Sequence, residues 1–299
     1  MRNKGEFLIY TVENYKDTTR FNEQYDEIRR FLQVNADSGY NEHFHWGRLD
    51  WMMAHSYLDV EMLTSNALFR DENGELAGVV MYDTDFHDRW YVLHSTSDEN
   101  LLRRMVEYAI KTDAGSSVPI KANLRDTVLC GLLEYAGFEK QYSESVLGIE
   151  LSSNFSFQLP QGFYLNVEDS QIDRWQQKLV TYRGFDHEGS PEESGEEVAK
   201  AERYLETSEY IKVFAIMDGE YVAHCGVWYN GGNTAYIEPV VTVPEHRGKG
   251  LGRAVVYEAI NRAKDRGAKR AIVFSGQEFY IRLGMVQSSE IGTWVKNSK

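Results

Sequence analysis

The sequence predicts an α/β protein in which one mixed, mostly antiparallel sheet flanked by helices occurs twice in tandem. Three observations predict it. Leu101–Ile110 aligns with Leu251–Ile260 at an offset of 150, and five of the ten positions are identical. Asn73-Gly74-Glu75-Leu76 resembles Asp218-Gly219-Glu220-Tyr221, and Tyr135-Ala136-Gly137-Phe138 resembles Arg282-Leu283-Gly284-Met285, in the same order. Strand-like and helix-like hydrophobic spacings also follow one another in the same sequence in both halves. The turn formers and proline of Leu151–Pro160 mark the join, so the expected domains are 1–150 and 151–299.

The elements follow in order. Phe7–Val12 and Phe163–Val167 read as first strands, and Tyr15–Val34 and Ser170–Tyr182 as helices. A further helix is expected from Glu192 to Leu205, with Ser190 as its cap and Pro191 in its first turn. Each half then has a hairpin. Ala67–Arg70 turns through Asn73-Gly74 into Leu76–Tyr82, and Lys212–Met217 turns through Asp218-Gly219 into Tyr221–Tyr229. Asn-Gly and Asp-Gly supply the positive φ angles that tight hairpins require. A strand (Trp90–His94; Ala235–Val243) and a helix (Asn100–Lys111; Leu251–Asp265) follow. Each half closes with a strand (Pro119–Ala122; Arg270–Phe274), a helix ending at Gly137 or Gly284, and a final strand.

Composition narrows the function classes. With 42% hydrophobic and 26% charged residues the chain is ordinary for a globular protein. No apolar run approaches the ~18 residues a membrane span needs, and Phe7–Tyr10 is too short for a secretion signal. No membrane partner is expected. The net charge of −14 argues against nucleic acid as a partner. Cys130 and Cys225 each lie in an apolar stretch and form no Cys-x-x-Cys pair, which predicts buried thiols in a reducing, cytoplasmic setting. Charge is uneven: residues 245–270 hold eight basic and three acidic residues, an island suited to a small polyanion.

The segment Tyr236-Ile237-Glu238-Pro239-Val240-Val241-Thr242-Val243-Pro244-Glu245-His246-Arg247-Gly248-Lys249-Gly250-Leu251-Gly252-Arg253 carries the chemistry. A β-rich strand runs through a glycine-rich loop into an amphipathic helix. Backbone N–H groups at a helix N-terminus suit a phosphate, and Arg247, Lys249 and Arg253 add mobile positive charge. A Walker loop fails, because Lys249 precedes Gly250 and no Ser or Thr follows. A Rossmann fingerprint fails, because Pro244–Arg247 separate the strand from the first glycine and the next strand ends in Phe274-Ser275, without an acidic residue. Arg-x-x-Gly-x-Gly between strand and helix is met by Arg247, Gly250 and Gly252.

On Val240–Pro244, on Arg247–Arg253 and on Phe279-Tyr280-Ile281-Arg282-Leu283-Gly284-Met285, the sequence resembles the GNAT superfamily of acyl-CoA-dependent N-acetyltransferases. Met285 stands where that family carries Phe. The resemblance covers 162–299 strongly and 1–150 by fold pattern only. It implies two tandem GNAT-like domains, each with a sheet splayed open after its fourth strand, and acetyl-CoA as acyl donor lying in the wedge. It further implies that Val240, Val241 and Thr242 hold the pantetheine arm, and that Gly248, Lys249, Gly250, Leu251, Gly252 and Arg253, with Arg247, hold the pyrophosphate. In the first half Ser97-Asp98-Glu99-Asn100 stand opposite Arg247–Gly250, and Leu133 stands opposite Tyr280. Two carboxylates at a phosphate site are electrostatically wrong, so the first domain is expected to be degenerate and non-catalytic.

An amine must lose a proton before it attacks a thioester. Glu238, on the strand bordering the acyl group, is the candidate base, with pairing to an Arg as its structural alternative. Tyr280 matches the family tyrosine and is the candidate acid for the leaving thiolate; packing beside the coenzyme is the alternative. A main-chain N–H at Val241 or nearby is the candidate oxyanion donor, and Cys225 reads as core. Glu42-His43-Phe44-His45 reads as a loop surface, and no metal site is expected. Glu188, Glu192, Glu193, Glu196 and Glu197 read as a solvated helix face. Trp175, Tyr182, Arg183, Phe185 and Asp186 border the acceptor region or pack the core. The reading is an N-acetyltransferase acting on a small-molecule primary amine, with cationic acceptors favoured by the acidic charge, as a monomer or homodimer. A peptide or protein amine as acceptor, and a CoA-binding sensor or scaffold without turnover, remain alternatives.

Overall fold

The computed structural model describes residues 9–55, 58–83, 86–112, 117–168, 170–191 and 202–297. The strands are β1 (Thr11–Asn14), β2 (Ala67–Arg70), β3 (Leu76–Asp83), β4 (Phe86–His94), β5 (Ser117–Asn123), β6 (Glu139–Glu150), β7 (Tyr164–Leu165), β8 (Tyr210–Met217), β9 (Glu220–Trp228), β10 (Thr234–Thr242), β11 (Arg270–Val273) and β12 (Val286–Asn297). The α-helices are α1 (Glu23–Val34), α2 (Trp46–Ala54), α3 (Glu99–Thr112), α4 (Thr127–Tyr135), α5 (Arg174–Gly184), α6 (Leu251–Asp265) and α7 (Glu278–Arg282). Two compact units result. The first comprises Met1–Val146, Phe274–Gly276 and Gln287–Lys299, and the second Leu147–Val273 and Gln277–Val286.

In the first unit β1 to β4 pair antiparallel, β4 and β5 pair in parallel, and β12 lies antiparallel to β5. Its core joins Leu101, Leu102, Met105, Val106 and Ala109 of α3 to Val80, Val92, Ile120, Leu129 and Trp294. In the second unit Leu147–Glu150 pair with β11, β11 pairs in parallel with β10, and β10, β9, β8 and β7 continue antiparallel. The helix α6 turns Leu251, Val255, Val256, Ala259, Ile260 and Ala263 inward, a 3.6-residue stripe over this sheet. The β8–β9 turn has Asp218 at φ 52° and Gly219 at φ 86°, the left-handed pair expected of Asp-Gly.

Several expectations need correction. The first helix begins at Glu23 rather than Tyr15. Asn22 caps it by accepting from Tyr25 N at 3.0 Å, and Asp17 ties its own turn by accepting from Thr19 N. A helix with no sequence expectation, α2, starts where His45 Nδ1 accepts from Gly47 N at 3.0 Å. Glu42, His43 and His45 are therefore buried rather than part of a loop surface. The helix expected over Glu192–Leu205 lies mostly outside the described residues; the described stretch that overlaps its end, Glu202–Glu206, is a 3-10 turn. The final strands also pair differently from the expectation of a self-contained repeat. The C-terminal β12 completes the first unit, and the end of β6 completes the second.

Burial lowers the pKa of His43 to about 4, of His45 to about 3 and of His224 to about 4. An unfolded histidine binds its proton near 6.5. Below that pH the unfolded chain takes up protons that the folded chain refuses, so stability falls as pH drops from about 6.5 towards 4. Melting curves over that range should show the decline, and a flat profile would contradict burial of these rings as neutral groups. Trp294→Ala should remove about 3–5 kcal/mol from the first unit, read as a lower melting temperature. An unchanged curve would contradict the placement of β12.

Candidate functional site

The site of the second unit starts from a broken strand pair. The parallel pairing of β10 with β11 runs only over Thr234↔Arg270, Ala235↔Ala271 and Tyr236↔Ile272. Beyond it β10 pairs with β9 alone, and a bulge between Ile237 and Val240 shifts the register. Val243 N donates to Val222 O at 3.0 Å. By alternation Val241 faces β9 too, and Val240 and Thr242 turn their main-chain groups to the edge that β11 has left. The edge donor nearest the bulge is therefore Val240 N–H, one residue from the expected Val241.

Past β10 the chain makes a 3-10 turn at Pro244–His246 and enters α6 through Arg247–Gly250. Gly248 and Gly250 have φ 75° and 86°, which a side chain would strain, and both face open space. Among the described residues none of the six main-chain N–H groups from Gly248 to Arg253 donates a hydrogen bond, and no side chain caps α6. The exposed Arg253 makes no ion pair among the described residues, and Lys249 reaches only His246 Nδ1, at 3.1 Å. Six open donors in succession, beside Lys249 and Arg253, make a cradle of the kind that suits an anion. Gly252 brings α6 against Phe279 and Thr242, where an added Cβ would lie 3.2 Å from the Phe279 ring.

Arg247 differs from the mobile charge expected of it. Its Nε donates to Thr242 O at 3.0 Å, and its Nη2 donates to Gly184 O at 2.9 Å and pairs with Asp186. It braces the end of α5 onto β10, and a second pair, Arg183–Glu245 at 3.0 Å, supports the same junction. Gly184 abuts Val241, with an ideal Cβ 2.9 Å from Val241 Cγ2.

Glu238 sits at the bulge and is half-buried. Tyr236 donates its hydroxyl to Glu238 Oε2, and Trp228 Nε1 donates to the Glu238 carbonyl at 3.1 Å. Tyr280, on α7, is 7% exposed, and its hydroxyl makes no hydrogen bond among the described residues. Burial, then the Cys225 thiol and the Glu238 carboxylate, push its pKa well above the usual tyrosine value, so the phenol keeps its proton at neutral pH. Cys225 is a free, fully buried thiol, its pKa raised by burial, as core packing requires. Cys130 is half-buried, its thiol pushed to about 11, first by burial. Sequence reasoning missed Tyr236, Trp228 and Gly226. A signal existed in Gly226, a glycine inside a strand of bulky residues.

The first unit treats the matching places differently. Its parallel pairing also stops early, after Tyr91↔Lys121. There the main chain of His94 is taken at both ends by the Asn41 carboxamide, at 2.9 and 3.1 Å, and the His94 ring reaches Asp126 at 2.5 Å. At the start of α3, Asp98 Oδ1 accepts from Asn100 N at 2.8 Å and Leu101 N at 3.2 Å. A carboxylate of the chain itself thus holds the donors that α6 leaves open. Among the described residues no cluster could hold a metal ion, and no helix is long and apolar enough to cross a membrane.

The second unit thus joins a mixed sheet whose parallel pair ends early to a helix start with open main-chain donors. The sequence profile of the acetyltransferase (GNAT) family matches residues 172–285, and the second unit is a domain of that family. Solved structures agree on the fold of the whole chain as two tandem GNAT-like units. A tandem GNAT protein from the clavulanic acid biosynthesis pathway aligns with TM-score 0.59 at 12% identity, over 97% of this chain and 99% of that one. A GCN5-related N-acetyltransferase from Sphaerobacter thermophilus gives 0.54 at 14%, over 96% and 95%. One from Kribbella flavida gives 0.52 at 19%, over 75% and 88%. No curated protein sequence matches the chain significantly.

Gly226 lies beneath Tyr210, and an ideal Cβ there would sit 2.6 Å from the Glu238 carbonyl oxygen. Gly226→Ala should therefore cost about 1–3 kcal/mol through overpacking, measured by thermal denaturation. Wild-type stability would contradict this close approach.

Proposed function

We propose that the second unit transfers an acetyl group from acetyl-CoA to a primary amine by direct attack in a ternary complex, and that the first unit is degenerate and does not bind the coenzyme. The observation that carries the reading is the run of six unpartnered amides from Gly248 to Arg253. These donors, with Lys249 and Arg253, fit a pyrophosphate, and the open edge of β10 at Val240–Thr242 fits the amides of a pantetheine arm. Arg247 supports the cradle from behind by bracing β10 against α5.

Acetyl-CoA supplies an activated acyl group as a thioester. Glu238 accepts one proton of the acceptor's ammonium, directly or through water, and the free amine attacks the thioester carbon. The second N–H proton is lost as the adduct collapses and replaces the one that Tyr280 gives to sulfur. Tyr280 presents its hydroxyl proton to the departing sulfur; burial that keeps the phenol protonated makes it a donor and not a base. The Val240 N–H, or the Val241 N–H as first expected, faces the oxygen on which negative charge develops. No covalent bond to Cys225 is needed. The net charge of −14 favours a cationic acceptor, a small-molecule amine before a peptide or protein amine.

Thiol release from acetyl-CoA with a panel of primary amines tests the reaction; coenzyme binding without turnover on any amine would favour a sensor. Tyr280→Phe should lower kcat by roughly 100-fold with little change in coenzyme affinity, and unchanged turnover would remove its role as acid. Calorimetry should give one acetyl-CoA per chain. Gly250→Asp, which sets a carboxylate over the amides as Asp98 does in the first unit, should abolish that binding. Residual tight binding would place a coenzyme elsewhere.

A further inference from the structure

Glu238 is not one of the residues paired in the β10–β9 or β10–β11 ladders. It falls within the bulge that separates the two stretches of β10–β9 pairing, and it lies past the last residue paired with β11. Trp228 and Tyr236 both hold it. Trp228 Nε1–H donates to its main-chain carbonyl at 3.1 Å, and the Tyr236 hydroxyl donates to its carboxylate. These two face one another in register, Tyr236↔Trp228, and Trp228 faces Tyr210 in turn. Directly paired residues project from the same face of a sheet, so Tyr210, Trp228 and Tyr236 form one aromatic row across β8, β9 and β10.

The row is locked. Tyr210 and Trp228 pack at 4.4 Å between ring centroids, and Tyr204 packs on both, at 5.2 and 5.3 Å. All four rings are buried. His224 Nδ1 faces the Val213 carbonyl at 3.1 Å and must donate there, so its Nε2 accepts from the Tyr210 hydroxyl, also at 3.1 Å. Burial keeps this imidazole neutral, so the bond has the same direction throughout the neutral range. Gly226 leaves the space in which Tyr210 and the Glu238 carbonyl meet.

We propose that Tyr236 and Trp228 are positioning residues for Glu238: Tyr236 aims its carboxylate, and Trp228 fixes the main chain that carries it. This rests on the reading of Glu238 as proton acceptor. In the step concerned, the N–H bond of the ammonium breaks and the proton passes to the Glu238 carboxylate. Tyr236 keeps its own proton and donates a hydrogen bond before and after. Among the described residues, Tyr280 on α7 and Tyr210 on β8 are titratable groups that feel the charge of Glu238.

The test is a double-mutant cycle on the intact chain, read as kcat and KM for each substrate. Tyr236→Phe removes one hydroxyl and keeps the ring. It should lower kcat between about 10- and 100-fold and leave acetyl-CoA affinity within about twofold. In a Glu238→Gln background the same substitution should have almost no further effect. Trp228→Phe should show the same split between kcat and coenzyme affinity. An equal loss from Tyr236→Phe in both backgrounds would overturn the proposal, as would full-rate Tyr236→Phe beside a slow Glu238→Gln. Full-rate Glu238→Gln would instead remove the base itself, and with it the premise.

Discussion

The second unit is organised by the point at which β10 parts from β11. Three residues of each strand pair, and then the chain of β10 must find other partners for its main chain. One edge is satisfied by β9. The other edge has no strand paired with it past Tyr236, and among the described residues the main-chain donors from Gly248 to Arg253 at the start of α6 take no partner. Unpaired polar groups of this kind are tolerated where a ligand or solvent can reach them. The place where these donors stay open is also where the parallel pairing ends.

The first unit shows the same scaffold with that constraint removed. Its parallel pair also ends early, but the Asn41 carboxamide takes both main-chain groups of His94, and Asp98 takes the first donors of α3. An amide and an anion are supplied here by the chain's own side chains, so places that one unit leaves open are filled internally in the other.

Electrostatics divides the same way. Arg247 stands beside the cradle, yet its guanidinium joins α5, Asp186 and the end of β10, so it contributes form more than charge. The cradle is left to main-chain dipoles, with Lys249 and Arg253 around it. Near the bulge, burial sets proton ownership: Tyr280, Tyr210 and Cys225 are all held in their neutral forms by desolvation. Glu238, half-buried beside them, is the carboxylate at that point.

Much of this was legible in the sequence, for a local reason. Periodicity gave α6 at its observed limits, Asp218-Gly219 gave the hairpin, and Gly248, Gly250 and Gly252 marked a helix start without side chains to cap it. The negative charge of Asp98 and Glu99 was enough to set the first half apart. Each of these depends on residues near one another in the chain. The rest needed partners brought from afar. His43 and His45 look like surface polar residues until α2 packs them inside. Arg247 looks mobile until the end of α5 reaches it, and Glu238 shows no partner until Trp228 and Tyr236 are placed by strand register. The final strand could close either half by its pattern alone. Strand pairing is non-local, so composition and spacing determined which elements form, and only the tertiary structure decided which edges they satisfy and which they leave open.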